Sequence, residues 1–411
     1  MTATALQIAM ISEHASPLAT LTGLGGADGG GQNVFVADLA TELGRQGHQV
    51  TVFTRRDDPD LPPIVEPAPG VRVEHVPAGP ARPVPKDHLL RWMPDFGRYL
   101  ERRWAADPPD VAHAHFWMSG LATLRAAAGL GIPVAQTYHA LGTVKRRHQG
   151  DKDTSPPGRI RLERAIGRGV DAVIATCADE VAELTRMGVP RGRVSVVPCG
   201  VDVDRFCPEG PATFDPVPAA GGGPRLVALS RLVERKGVDT AIEALTQIPG
   251  AELLVAGGPP GEEMDADAEV HRLRLCAKEA GVADRVHFVG RVSRDRVPAL
   301  LRSADLAVTL PWYEPFGMVP LEAMACGVPV VASAVGGHLD TVVDHVTGVH
   351  VPPRRPAETA RQVRDLLAHP VRREAYGVAA ADRARVRFSW TRVGRETAQV
   401  YERIRASGDM K

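Results

Sequence analysis

Long apolar runs are missing from these 411 residues: no stretch reaches the 18 consecutive apolar positions of a membrane-crossing helix. A dominant charge sign is missing too. Lys+Arg and Asp+Glu number 49 each, so the formal net charge is zero, which argues against a dedicated nucleic-acid binder, whose phosphate contacts need a basic excess. Lysine is scarce, six of the 49 basic residues; beside abundant Ala, Gly and Pro, the arginine surplus reads as GC-rich coding and carries no functional meaning. Cysteine is scarce and odd in number, with Cys177, Cys199, Cys207, Cys276 and Cys326 forming no CxxC pair. These read as buried thiols of a reducing compartment, neither a disulfide frame nor a zinc site. The segment MTATALQIAMIS has no basic stretch ahead of its apolar run and is a poor signal peptide. The expectation is a soluble, cytoplasmic protein.

What is present is ordinary globular composition, 44% hydrophobic and 24% charged, in a chain too long for one hydrophobic core. Short apolar runs alternate with amphipathic stretches, the pattern of parallel sheets covered by helices. Strands are expected at 6–12, 48–54, 71–77, 110–115, 133–139, 172–177 and 194–198, with helices at 33–47, 116–130 and 178–187. Residues 208–224, PEGPATFDPVPAAGGGP, hold almost nothing fit for a core and read as a linker. Alternation then restarts, with strands at 225–230, 251–258, 285–290, 306–310 and 328–333, and helices at 237–247, 267–280, 295–303 and 318–326. A last amphipathic helix covers 390–404. Two doubly wound α/β domains follow, with a ligand expected in a cleft at the carboxyl ends of the strands.

Three segments carry chemistry. GGADGGGQN (25–33) runs from the first strand's side into a helix, where glycine N–H groups and the helix start suit an anion; the plainer alternative is a surface loop. Arg231 and Lys236 in LSRLVERKG follow the second domain's first strand and suit a diphosphate, or else are solvated charges at a helix start. In PWYEPFGMVPLEAMACGVPVVAS, Glu314 lies in a loop and Glu322 in the second turn of the helix beginning near Met318. Each carboxylate can accept from a sugar or ribose diol, while N–H groups of Gly317, Met318 and Val319 can hold an anion. With no His or third acid nearby, metal binding by this pair is the weaker alternative.

Taken jointly, Glu314 followed after seven residues by Glu322, the SRLVERKG pair, the GGGQN loop and TYHALG resemble the family 4 retaining glycosyltransferases. The front half, GGQNVFVADLATELGRQGHQVTVFTRR (30–56), is similar to the sucrose-phosphate-synthase and mycothiol-pathway branch. The resemblance implies the GT-B fold: two Rossmann-like α/β domains facing across a cleft, with the C-terminal helix crossing back to the first. Residues 1–207 with 388–411 would form the acceptor-binding domain and 208–387 the nucleotide-sugar domain. It further implies that Arg231 and Lys236 neutralise the donor diphosphate, that Glu322 holds the ribose, and that Glu314 contacts the donor sugar. Backbone N–H groups at Gly317, Met318 and Val319 would meet sugar and phosphate, and Arg291 the base. Gly30, Gly31 and Gln32 would close on the donor, and His139 would sit near the transferred sugar; on position alone His139 is more readily structural than catalytic. Lys86, Phe116 and Arg159 would line the acceptor site, with Phe116 where the mycothiol branch has Tyr, and Ala140 where it has Thr. Two hydroxyls are thereby lost, leaving a phosphorylated acceptor open. The charged segment KRRHQGDKD (145–153) reads as an acceptor-holding insertion or a solvated loop.

Glycosyl transfer builds positive charge on the sugar and negative charge on the departing diphosphate. The implied enzyme is a retaining hexosyltransferase, moving glucose or N-acetylglucosamine from a nucleotide-diphosphate sugar, UDP by analogy, to a small polar sugar or cyclitol. The leaving phosphate would take the acceptor proton. No metal or other cofactor is required; DVD (202–204) is a weak candidate for a metal-binding acid motif. No nucleic acid or membrane partner is expected, and a homodimer is left open. The alternatives are a GT-B epimerase or phosphorylase, for whose cofactor the second domain offers only Lys236 and Lys278. An NAD-dependent dehydrogenase would need a compact glycine turn and a distant acid that neither half supplies cleanly. A non-catalytic sugar-binding protein would have no use for diphosphate cations.

Overall fold

The computed structural model describes residues 5–20, 30–215 and 223–408. They fall into two units, one reaching Pro198 and recovering the chain from Trp390 onward, the other spanning Cys199–Ser389.

The first unit is built on β1 (Gln7–Ile11), β2 (Gln49–Arg55), β3 (Ile64–Ala68), β4 (Val71–Val76), β5 (Val111–His115), β6 (Val134–Thr137), β7 (Ala172–Ala175) and β8 (Val194–Val196). Their order is β3-β4-β2-β1-β5-β6-β7-β8, parallel throughout except at β3–β4. Strands such as β5 and β7 are buried at every residue, as expected of a sheet with helices on both faces. The second unit has β9 (Arg225–Leu229), β10 (Glu252–Ala256), β11 (Val286–Gly290), β12 (Leu306–Thr309), β13 (Val330–Ser333) and β14 (Gly348–Val351). All its pairings are parallel, in the order β11-β10-β9-β12-β13-β14. Both sheets are Rossmann-like. Strand order reverses between β1 and β5 and between β9 and β12, and such switch points open a crevice at the carboxyl ends.

Three expectations are corrected. The chain changes unit at Pro198/Cys199, ahead of the linker, because Val201 N–H donates to Phe388 O at 2.7 Å and Arg302 Nη1 donates to Cys207 O at 2.9 Å. The return comes at Trp390, not 388. Residues 145–149 are not a solvated loop but the end of the helix Gly142–Gln149, and two of its cations are paired, Lys145 with Asp153 at 3.0 Å and Arg147 with Glu183 at 2.9 Å. The sequence pattern also passed over β3, an exposed Pro-containing strand of IVEPA, and the helix Met93–Ala106, which buries Met93, Phe96, Leu100 and Trp104.

The helix Trp390–Gly408 belongs to the first unit. Its Tyr401 is fully buried, and its hydroxyl lies 2.7 Å from His113 Nδ1. Thr137 Oγ1 donates to Ile174 O at 3.1 Å and lies 2.9 Å from His113 Nε2. A carbonyl only accepts, so the threonine proton is spent there. His113 must therefore donate through Nε2 and accept the tyrosine hydroxyl at Nδ1. Burial pushes the His113 pKa down to about 3, keeping it neutral. Among the described residues no helix is long and apolar enough to cross a membrane. Removing the hydroxyl in Tyr401→Phe strands a buried acceptor, and the first unit's urea transition is expected to lose about 1–3 kcal/mol.

Candidate active site

The residues singled out from sequence divide between the units, and each group is described within its own. In the second unit, Lys236 and Glu314 come from the two sides of the β9/β12 switch point. Gly237, with φ +67, follows Lys236 and opens the helix Val238–Leu245. The two side chains form an ion pair and are largely buried, 17% and 11% exposed, so each charge is answered mainly by the other. Burial lowers the Lys236 pKa, with Glu314 acting in the opposite sense. For Glu314 burial alone would raise the pKa, but Lys236, His338 and Arg235 outweigh it and hold it at about 2. Arg231 is exposed and near enough to Lys236 to depress its pKa further.

The Glu314 backbone is clamped as well. Its carbonyl accepts from Gly337 N–H at 2.8 Å. Gly336 has φ +47, and a Cβ there would lie 2.2 Å from Glu314 O, so only glycine fits. Neighbouring Trp312 has the Arg354 guanidinium 3.5 Å from its ring centre, and Tyr313 has that of Arg235 at 5.1 Å. His338, fully buried, lies in electrostatic contact with Glu314; burial lowers its pKa to about 4. Its Nδ1 donates to Ser333 O at 3.0 Å.

Beyond Gly317, at φ +79, the helix Met318–Ala325 begins. Its first N–H groups lack intrahelical acceptors and are available to an anion. Glu322 stands one turn in, half-buried. Arg291 follows edge strand β11 and is exposed, with β10 between that strand and β9; no contact described brings it to Glu314. Asp202 Oδ1 accepts from the N–H groups of Asp204 and Arg205 at 3.2 and 3.1 Å, so DVD closes a turn. A cavity of about 150 Å³ lined by Gly250, Glu252, Arg285 and His287 lies at the amino ends of β10 and β11, away from these groups.

In the first unit the predicted residues gather at the carboxyl ends of β1, β5 and β6. His139, just past β6, is 4% exposed and has φ +61. Its Nε2 is 3.0 Å from His115 Nδ1, and the Phe35 ring meets it edge-on. Burial, aided by neighbouring histidines, holds both His115 and His139 well below the usual imidazole range. Phe116, just past β5, has φ 79 at the start of the helix Trp117–Ala127, so two non-glycine residues of this unit hold a costly conformation close together. Lys86 Nζ and the Arg159 guanidinium lie 5.4 and 5.1 Å from the Phe116 ring centre. Arg159 is itself buried, donating to Glu163 at 2.7 Å, to Ser155 at 3.1 Å and to Ala140 O. It is a packed strut as well as a charge. Gly30 caps the helix Gly31–Arg45, and Gln32 Nε2 donates to Ser12 Oγ at 3.2 Å and to His115 O at 3.5 Å. Positions 25–29 of the glycine loop lie outside the described residues.

Sequence reasoning missed Glu13, His14, His115 and His338. Each sits within three residues of, or at, a parallel-strand end or follows one closely, but nothing in its spacing distinguishes it; only the third dimension does.

Comparison with known proteins bears on both units. Residues 29–205 match the family model Glycosyltransferase Family 4, and residues 212–383 match Glycosyl transferases group 1. The chain is 36% identical over 412 residues to D-inositol 3-phosphate glycosyltransferase 2 of Catenulispora acidiphila, covering 97% of this chain and 95% of that one. Among solved structures it is similar to a sucrose-phosphate synthase from Thermosynechococcus elongatus, with TM-score 0.88, 33% identity, and coverage of 97% and 99%. It shares its fold with Anabaena Alr3699/HepE, solved with UDP-glucose, at TM-score 0.73 and 20% identity over 97% of this chain and 100% of that one.

Lys236→Met leaves the Glu314 carboxylate buried without its cation, at an expected cost of about 3–5 kcal/mol near neutral pH. Because the Glu314 pKa is held down, its contribution is complete above the ordinary value near 4.5 and is lost as pH falls toward about 2. The difference between variant and parent in chemical denaturation should therefore shrink across that window.

Proposed function

The chain belongs to the family 4 glycosyltransferases, with a group 1 second half, the GT-B fold and hexosyltransferase activity, and from that premise we propose that it is a retaining enzyme using a UDP-linked hexose, glucose or N-acetylglucosamine. The acceptor is a hydroxyl of a small polar sugar or cyclitol. The observation that carries this reading is the buried Lys236–Glu314 pair at the β9/β12 switch point, beside Arg231 and the start of the helix Met318–Ala325.

Arg231, Lys236 and the N–H groups at Gly317, Met318 and Val319 face the diphosphate, where negative charge grows as the sugar departs. Charges and dipoles already fixed before the reaction need no reorganisation in the transition state. Glu314, kept ionised, accepts from hydroxyls of the hexose, and Glu322 from the ribose. His139, kept neutral by burial, offers the sugar a hydrogen bond without adding a positive charge near the developing oxocarbenium. As the bond from the anomeric carbon to the diphosphate breaks, the acceptor oxygen attacks from the same face. Its proton passes to the leaving phosphate. The cations come from side chains, and no metal enters this reading. Lys278, exposed on the helix Ala268–Glu279, is poorly placed to anchor a phosphorylase cofactor.

The relatives' names guide the acceptor panel: myo-inositol, D-inositol 3-phosphate, fructose and fructose 6-phosphate. Thermal unfolding with UDP, GDP, ADP and dTDP should show stabilisation by UDP, about 2.7 kcal/mol at 100 times the dissociation constant. Turnover of UDP-glucose or UDP-N-acetylglucosamine should fall about 100- to 1000-fold in Lys236→Ala. Stabilisation by another base would reassign the donor, and undiminished turnover in the variant would overturn the site.

A further inference from the structure

Cys207 and Cys326 are far apart along the chain and are brought together in the second unit. Cys326 follows the helix Met318–Ala325, its N–H donating to Glu322 O at 3.1 Å, and is only 4% exposed. Cys207 lies on the segment by which the chain enters the unit, half-buried, with its thiol 3.4 Å from Glu209 O. The residues that follow the two cysteines are in van der Waals contact: a Cβ on Gly327 would stand 3.4 Å from Pro208 Cβ. Arg302 ties the same place together. Its Nη1 donates to Cys207 O and its Nε to Pro211 O, both at 2.9 Å, and its guanidinium hydrogen-bonds the Cys326 sulfur. The two thiols are in electrostatic contact as well.

The pair is asymmetric, and the asymmetry gives each sulfur a part. Cys207 is reachable from solvent, whereas Cys326 is not. Burial pushes the Cys326 thiol up to about 12, so near neutral pH it is protonated and does not react first. The outer thiol is the first nucleophile. The inner one acts once an oxidised sulfur is presented to it, with Arg302 beside it to favour its thiolate. Neither sulfur has a part in the glycosyl transfer described above.

We propose that Cys207 and Cys326 are a redox modification site, closing to an intramolecular disulfide when a hydroperoxide oxidises the protein and reopening with a dithiol. The Cys207 thiolate attacks one peroxide oxygen, the O–O bond breaks, and hydroxide leaves to become water, giving a sulfenic acid. The Cys326 sulfur then attacks the Cys207 sulfur. The S–O bond breaks, and the departing hydroxide carries off the Cys326 proton as water. Two thiols lose two electrons and the peroxide gains them. The new bond ties the entering segment to the far end of the helix that begins at Met318, closing a loop of roughly 120 residues. The site stands whether or not the donor and acceptor are as proposed.

In the test, the full chain is treated with a small excess of hydrogen peroxide, alkylated under denaturing conditions and digested. The expected product is lighter by two hydrogens, with the five alkylatable thiols reduced by two and one cross-linked peptide pair holding Cys207 and Cys326. Dithiothreitol should restore the starting protein. Oxidation should also raise the urea midpoint, because the cross-link restricts the unfolded chain. Cys207→Ser should show neither the lost thiols nor the shift. In Cys326→Ala the Cys207 sulfenic acid should persist and be trapped by dimedone; if that buried substitution fails to fold, Cys207→Ser decides alone. Three results would each overturn the proposal: Cys207 advancing to a sulfinic acid while Cys326 stays alkylatable, a cross-link to any other cysteine, or a chain-to-chain dimer on a non-reducing gel.

Discussion

The Lys236–Glu314 ion pair is the constraint around which the second unit's chemistry is arranged. Two charges taken out of water cost several kcal/mol each, and mutual attraction offsets this only when both stay in place. Everything near the pair keeps them so: the left-handed glycines Gly237 and Gly336, the Gly337 N–H on Glu314 O, and arginines stacked on Trp312 and Tyr313. The result is a carboxylate that remains ionised and an ammonium that remains beside it, on strands flanking the switch point. In the function proposed above, a diphosphate arriving there would meet a cation whose desolvation has already been met in folding.

The first unit reaches preorganisation by a different route. Its buried imidazoles His113, His115 and His139 are kept neutral by desolvation rather than by ion pairing, and at His113 the hydroxyls of Thr137 and Tyr401 set which nitrogen carries the proton. Strain is stored at Phe116 and His139, both within two residues of a strand end, and the Phe116 N–H donates to Thr137 O of β6 at 2.8 Å. At the Phe116 ring the positive charge comes from Lys86 and Arg159, while the buried imidazoles of His115 and His139 carry none.

Much of this could be read from the residues in order, for physical reasons that differ between elements. Parallel strands buried on both faces leave continuous apolar runs, so all but β3 and β14 were visible; β3 is exposed and carries a proline, and GVHV is four residues long. Helices that bury few large side chains, such as Pro370–Phe388 with its alanines and arginines, leave a weak period and went unread. Glu314, Glu322, Arg231 and Lys236 showed because a short segment holds each pair. That Lys236 and Glu314 bind each other did not show, since 78 residues separate them. Arg159 read as a charge offered to ligand, yet its donors serve Glu163, Ser155 and Ala140 O; no linear pattern reports what a guanidinium already holds. His14 escaped for the converse reason, because its partner Glu13 adjoins it in sequence and a Glu-His dipeptide is unremarkable until Ser119 and Phe116 arrive.

The helix Trp390–Gly408 places the second unit as an insertion within the first, with a consequence for synthesis. A ribosome releases the first sheet's strands early, but Tyr401, whose hydroxyl satisfies His113, is translated only after the roughly 190 residues of Cys199–Ser389. At about 5–20 residues per second that interval is on the order of ten to forty seconds. Throughout it the nascent first unit carries an uncovered apolar stripe where Val393, Val400, Tyr401 and Ile404 will dock, while the second unit can fold from contiguous chain. Vectorial folding is therefore reversed: the half translated first is completed last.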